Sequence, residues 1–144
     1  MTAERATIVP KKDGIAIIVY NSTFDIAMMP MMIAQGALSM GMEVSIFYTF
    51  FGMNALKKGF RPKMPGMWRM FTGMMEKKMG RQGIPSYAQL LKDNIEMGAK
   101  VYACTTTMTV MGVRKEDLVD GIEIAGVAKF LDLAASAGTT LAIG

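Results

Sequence analysis

The chain has 144 residues, of which 51% are hydrophobic and 19% charged, with a net charge of +4. That is enough chain for one domain, residues 1–144, with a proper core, and it is too apolar for disorder. It contains no histidine and one cysteine, Cys104, which excludes Ser-His-Asp and Cys-His catalysis, the usual zinc sites, any Cys-x-x-Cys motif and any intramolecular disulfide.

Met1 to Gly14 is polar and charged, with no apolar stretch before a cleavage site, so it does not read as a signal peptide and the expectation is a cytoplasmic protein. Gly14-Ile-Ala-Ile-Ile-Val-Tyr20 is a continuous β-branched apolar run, the signature of a strand buried on both faces. Asn21-Ser-Thr23 offers N-cap candidates for a helix from about Phe24 to Met40, with Gly41 as its stop. Pro30 lies inside it and predicts either a kink or a helix that begins near the proline. Ile26 to Met42 carries no charge over 17 residues, short of the ~20 that a membrane span needs. A buried crossover helix is expected there.

Glu43 to Thr49 reads as a second strand and Phe50 to Lys58 as a short helix. Ser86 to Met97 reads as a helix capped by Ser86, with Leu90, Leu91 and Ile95 as its buried stripe and Gly98 at its end. Ala99 to Cys104 is a third strand, followed by short helical turns over Thr105 to Gly112 and Lys115 to Asp120. Ile122 to Ala125 is a fourth strand, Val127 to Ala137 a helix, and Thr139 to Ile143 a last strand. Strands alternating with helices predict a parallel sheet covered on both faces. Right-handed crossovers then bring the loops after Tyr20, Thr49 and Cys104 to one edge, where open α/β sheets carry their sites. No Gly-x-Gly-x-x-Gly or phosphate-loop pattern follows any strand, so neither a cofactor nor a nucleic-acid partner is expected.

The connection between strands two and three is too long for one crossover helix, and its surplus is roughly residues 59–85. From Lys57 to Arg81 there are eight basic residues against Glu76 alone, a net of +7, so the rest of the chain sums to −3. Plotted at ~100° per residue, Met67, Trp68, Met70, Phe71, Met74, Met75 and Met79 cover about half a helical circumference. Three readings stay open for this basic, methionine-rich insertion. It packs on its own domain or on a second subunit of a homo-oligomer; it is a lid or docking surface for an anionic partner, using Trp68, Arg69, Lys77, Lys78 and Arg81; or it attaches reversibly to a membrane surface at the inner face. Gly66, Gly73 and Gly80 argue against a rigid helix. Seventeen methionines also raise copper(I), but methionine usually fills cores and adjacent pairs point to different sides of a helix, so no metal site is expected.

Cys104 ends a strand and stands before Thr105, Thr106 and Thr107. A helix opening there would present unpaired N–H groups and a partial positive charge, both of which favour thiolate. The competing reading is an inert, buried small hydrophobe. If it is reactive, activation must come from the helix end, from the three threonines, or from a cation of the insertion. Such a thiolate can attack a sulfane sulfur, hold it as a persulfide and pass it to another thiol. Peroxide reduction would need a resolving thiol from elsewhere.

Ala37 to Gly52 (Ala-Leu-Ser-Met-Gly-Met-Glu-Val-Ser-Ile-Phe-Tyr-Thr-Phe-Phe-Gly), Ala103-Cys104 with Gly112-Val113 eight residues later, and Asp120 to Leu131 (Asp-Gly-Ile-Glu-Ile-Ala-Gly-Val-Ala-Lys-Phe-Leu) resemble the DsrE/DsrF/DsrH-like sulfur-relay family. The likeness is to its stand-alone DsrE-like branch, sometimes labelled peroxiredoxin-like, and covers most of the chain outside the insertion. It implies a five-stranded parallel α/β/α fold, homo- or hetero-oligomers, a sulfur-carrying cysteine at the Cys104 position, and small sulfur-carrier or rhodanese-like proteins as partners. The insertion and the lack of a second cysteine depart from the family. Two functions follow as expectations: a sulfurtransferase-like sulfur carrier acting through Cys104, with Thr105, Thr106 and Thr107 stabilising the thiolate, or a non-catalytic scaffold that docks a partner or membrane through the insertion.

Overall fold

The computed structural model describes residues 14–144. The expectation that the N-terminus is no signal peptide falls on residues 1–13 and lies outside the described residues.

Five strands form one sheet: β1 (Ile15–Val19), β2 (Val44–Tyr48), β3 (Lys100–Cys104), β4 (Ile122–Ala125) and β5 (Thr139–Ile143). Their order is β4-β3-β2-β1-β5 and every pairing is parallel. The helices are α1 (Phe24–Ser39), α2 (Thr72–Arg81), α3 (Tyr87–Glu96), α4 (Thr105–Met111) and α5 (Val127–Ser136). β1 to β4 step in one direction across the sheet, and the chain then crosses back to lay β5 beside β1. Reversing direction with right-handed crossovers puts α5 on the face opposite α1 and α3.

The register shows why the centre of the sheet is apolar on both faces. Ile17, Ile46, Val101 and Ile122 stand side by side and are buried. The next row, Ile18, Phe47, Tyr102 and Glu123, points to the other face. There Phe47 meets Phe130 of α5, ring centroids 5.6 Å apart. A strand that must bury both of its faces cannot alternate apolar with polar.

α1 begins at Phe24 with Thr23 as N-cap and runs unbroken through Pro30. The start near the proline is not what forms. An interior proline costs roughly 3 kcal/mol, but Pro30 lies on the buried side with Ala27, Met31 and Ala34, so burial of the whole face offsets the missing hydrogen bond. Asn94 of α3 binds this helix through its side-chain amide, which donates to the Met31 carbonyl at 3.0 Å. Among the described residues no helix is long and apolar enough to cross a membrane.

Phe50–Leu56 is a 3-10 helix, where an ordinary helix to Lys58 was expected. The tighter winding follows from contacts at both ends. Gly52 lies directly on the backbone of Val19 and Tyr20, close enough that a Cβ there would stand 2.9 Å from the Val19 carbonyl carbon. At the far end the Tyr87 hydroxyl donates to the Ala55 carbonyl at 2.8 Å, and Val119 N–H donates to the Leu56 carbonyl at 2.9 Å. The turns expected over Lys115 to Asp120 reduce to a 3-10 turn at Lys115–Asp117.

The insertion is not one amphipathic helix. Gly66–Phe71 is a 3-10 turn and α2 starts only at Thr72. Thr72 enforces the change: its buried hydroxyl donates to the Arg69 carbonyl at 2.8 Å and accepts the Met64 N–H at 2.9 Å. The insertion is fastened to the α1/α3 face of the body. The Lys63 carbonyl accepts the first N–H of α1, from Phe24, at 2.8 Å, and Phe60, Met64, Met79 and Ile84 pack on the core. An Arg61–Glu76 ion pair of 2.7 Å crosses the base.

Candidate functional site

Cys104 is both the last residue of β3 and the N-cap of α4 (φ −68°, ψ 121°). The β-branched, aromatic run before it favours extended chain, and the threonines after it favour a helix start. Its neighbour in β3, Ala103, pairs with Tyr48, the last residue of β2, so Thr49, which follows β2, comes alongside Cys104. By the alternation of the pleat both lie on the Phe47/Tyr102 side, the face that α5 covers. The cysteine is 6% exposed.

Thr107, one turn into α4, is also buried. Its hydroxyl lies 3.0 Å from that of Thr49 and accepts the Phe50 N–H at 3.0 Å. Phe50 reaches this position with φ +47°, the one positive φ at a non-glycine among the described residues. Left-handed backbone at a bulky aromatic is costly and persists only where its surroundings hold it.

Burial pushes the Cys104 thiol up, but the Thr107 N–H and hydroxyl, the Thr49 hydroxyl and the Thr106 N–H outweigh it. The net result is a thiol held below its ordinary value. Cys104 makes no side-chain capping hydrogen bond as it stands, and the direction follows from these nearby donors favouring the charged form. The three threonines therefore differ. Thr107 acts with side chain and backbone, Thr106 with backbone alone, and Thr105 is exposed and is not among the groups acting on the sulfur. Thr49 escaped the sequence reading. Aligning the ends of the second and third strands would have found it, since Thr49 follows one and Cys104 ends the other. The Phe50 N–H had no sequence signal.

No cation is among the groups acting on the thiol. Arg69, Lys77, Lys78, Arg81 and Trp68 are exposed on the insertion, which packs on the α1/α3 face. The cysteine side chain opens on the other one. Strand order thus brings the insertion and Cys104 to the same edge of the sheet, and the pleat separates them.

The sequence profile of the DsrE/DsrF/DrsH-like family matches residues 11–65 and 61–142. The chain belongs to this family. The two matched stretches meet inside the insertion, so both sides of the DsrE/DsrF/DrsH-like fold, including β2 and β3, are covered. The uncharacterized protein YrkE of Bacillus subtilis is 36% identical over 139 aligned positions, covering 80% of this chain and 87% of that one. The sulfur carrier protein DsrE2 of Allochromatium vinosum is 30% identical over 156 aligned positions, covering 90% of this chain and 97% of that one. In three dimensions the ychN protein from E. coli superposes with a TM-score of 0.65 at 14% identity, over 91% of this chain and 99% of that one. That likeness is one of fold.

Proposed function

We propose that this protein is a sulfur carrier that accepts sulfane sulfur on Cys104 and passes it to a partner thiol in a sulfur relay. Family membership and the DsrE2 relative support the relay role. The observation that carries the assignment is the position of Cys104, the one cysteine of the chain, at the end of β3 and the head of α4 beside Thr49, where nearby uncharged donors favour its thiolate.

In the first step the Cys104 thiolate attacks the outer sulfur of a thiosulfate, polysulfide or protein persulfide. A Sγ–S bond forms, the donor's S–S bond breaks, and sulfite, a polysulfide shortened by one sulfur, or a protein thiolate leaves with the electron pair. In the second step a partner thiolate attacks the terminal sulfur, and Cys104 leaves as thiolate. Each step is a displacement, so no external oxidant or reductant is needed. Incubating the reduced protein with thiosulfate or polysulfide should add one or more sulfur atoms to its intact mass, and Cys104→Ser should abolish the adduct. An unmodified mass with every sulfane donor overturns the proposal.

A second reading, a scaffold that docks an anionic partner through the insertion, draws on a separate observation. Met67 and Met70 are 81% and 82% exposed within a segment of net charge +7. The same surface would join copies of this chain as a homo-oligomer, and carrier and docking roles are compatible.

A further inference from the structure

We propose that Thr49 and Thr107 share a single free hydroxyl proton and deliver it to the Cys104 sulfur, with the strained Phe50 backbone fixing its direction. This rests on the sulfur-carrier reading of Cys104 and assigns the residues that keep the thiol in its nucleophilic form.

The argument is a count of donors and acceptors. Two hydroxyls carry two protons. The 3.0 Å approach of Thr49 Oγ1 to Thr107 Oγ1 consumes one of them, whichever oxygen donates. The Phe50 N–H occupies one lone pair of Thr107 Oγ1. If Thr49 donates to Thr107, both Thr107 lone pairs are filled and its own proton must go elsewhere. If Thr107 donates to Thr49, the Thr49 proton is the one left over. In either case one proton is left over, on the buried Thr107 or on the half-buried Thr49, and the acceptor we assign to it is the Cys104 thiolate, which strand register sets beside Thr49 and which heads α4 three residues before Thr107. A thiolate accepts such a bond strongly and a neutral thiol weakly, so the pair favours the ionised form. Phe50 matters through its backbone. With φ +47° its N–H aims at Thr107, which prevents that oxygen from turning its lone pairs toward the sulfur.

The pair is therefore redundant in a specific way. Thr49→Val leaves the Thr107 proton free for the sulfur, and Thr107→Val leaves the Thr49 proton free. Only the double variant removes the hydroxyl donor, leaving the Thr106 and Thr107 N–H groups in place. The measurement is the rate of iodoacetamide alkylation of Cys104 from about pH 5 to 10, which needs no sulfur donor. Each single variant should move the profile to higher pH by less than half the shift of the double variant. The double variant should alkylate about tenfold more slowly near neutral pH, the loss expected for one hydrogen bond to a charged group. Thr107→Ser, which keeps the hydroxyl, should restore the wild-type profile, and it also serves where Thr107→Val folds poorly. Additive single effects, or a Thr107→Ser profile matching Thr107→Val, would overturn the shared-proton arrangement. A cooperative profile in a protein that takes up no sulfane sulfur would leave this arrangement standing and sink the carrier reading instead.

Discussion

Gly52 shows how closely the reactive edge depends on a residue that never touches sulfur. It lies against the Val19–Tyr20 backbone and follows Phe50 by two positions, so its close approach seats the 3-10 turn that carries the Phe50 N–H. Gly52→Ala puts a methyl group into backbone that cannot yield, and overpacking of that kind costs about 2–3 kcal/mol. The expected result is a lower denaturation midpoint, read by urea titration, together with slower alkylation of Cys104 as Phe50 moves off Thr107. The sequence singled out Cys104 and the three threonines after it, because a strand that runs into a threonine-rich helix start is a local pattern. Thr49 is 55 residues away in sequence, and it reaches the sulfur only through strand register. Register is a pairing property and has no local signal.

At the scale of elements, the insertion carries its own prediction. Its 3-10 turn and α2 bury little beyond Thr72, and its charge is positive almost throughout. Binding of a negatively charged partner protein should weaken steeply with added salt and fall at least several-fold when Lys77, Lys78 and Arg81 are changed to glutamine. Surface plasmon resonance at rising ionic strength would check both outcomes, and the Cys104→Ser protein should bind as wild type does. The composition of this segment was plain in the sequence, but its shape was not. A wheel drawn from Met67 to Met79 assumes one helix, and the Thr72 hydroxyl, bonded to Arg69 and Met64, divides it. Pro30 left a helix start near the proline open, and tertiary burial overrides that local propensity, so the helix runs from Phe24 as its cap signals indicate.

Across the whole molecule, the alternation of strands and helices and the parallel sheet followed from periodicity and handedness, which are collective constraints and tolerate local error, whereas the strand order came only with the structure. The core they enclose sets an alkaline limit. Burial pushes the Tyr48 hydroxyl far up, and the same cause raises Tyr87 well above its ordinary value. Tyr48 Oη also lacks a hydrogen-bond partner among the described residues. Groups whose folded values are raised contribute stability that is present below the unfolded value of about 10 and is lost as pH climbs toward the folded one. Urea unfolding should therefore be flat on this account up to about pH 9 and fall above about pH 10. Tyr48→Phe should blunt that fall while changing neutral stability by no more than about 1 kcal/mol. The recessed position of Cys104 has a consequence for traffic through the relay. On the proposed carrier reading, a persulfide on this buried thiol would set its terminal sulfur up to about 2.05 Å beyond Sγ. Loading would then bring the reactive atom nearer the rim and unloading would withdraw it, so the cargo itself would set how visible the carrier is to a partner thiol.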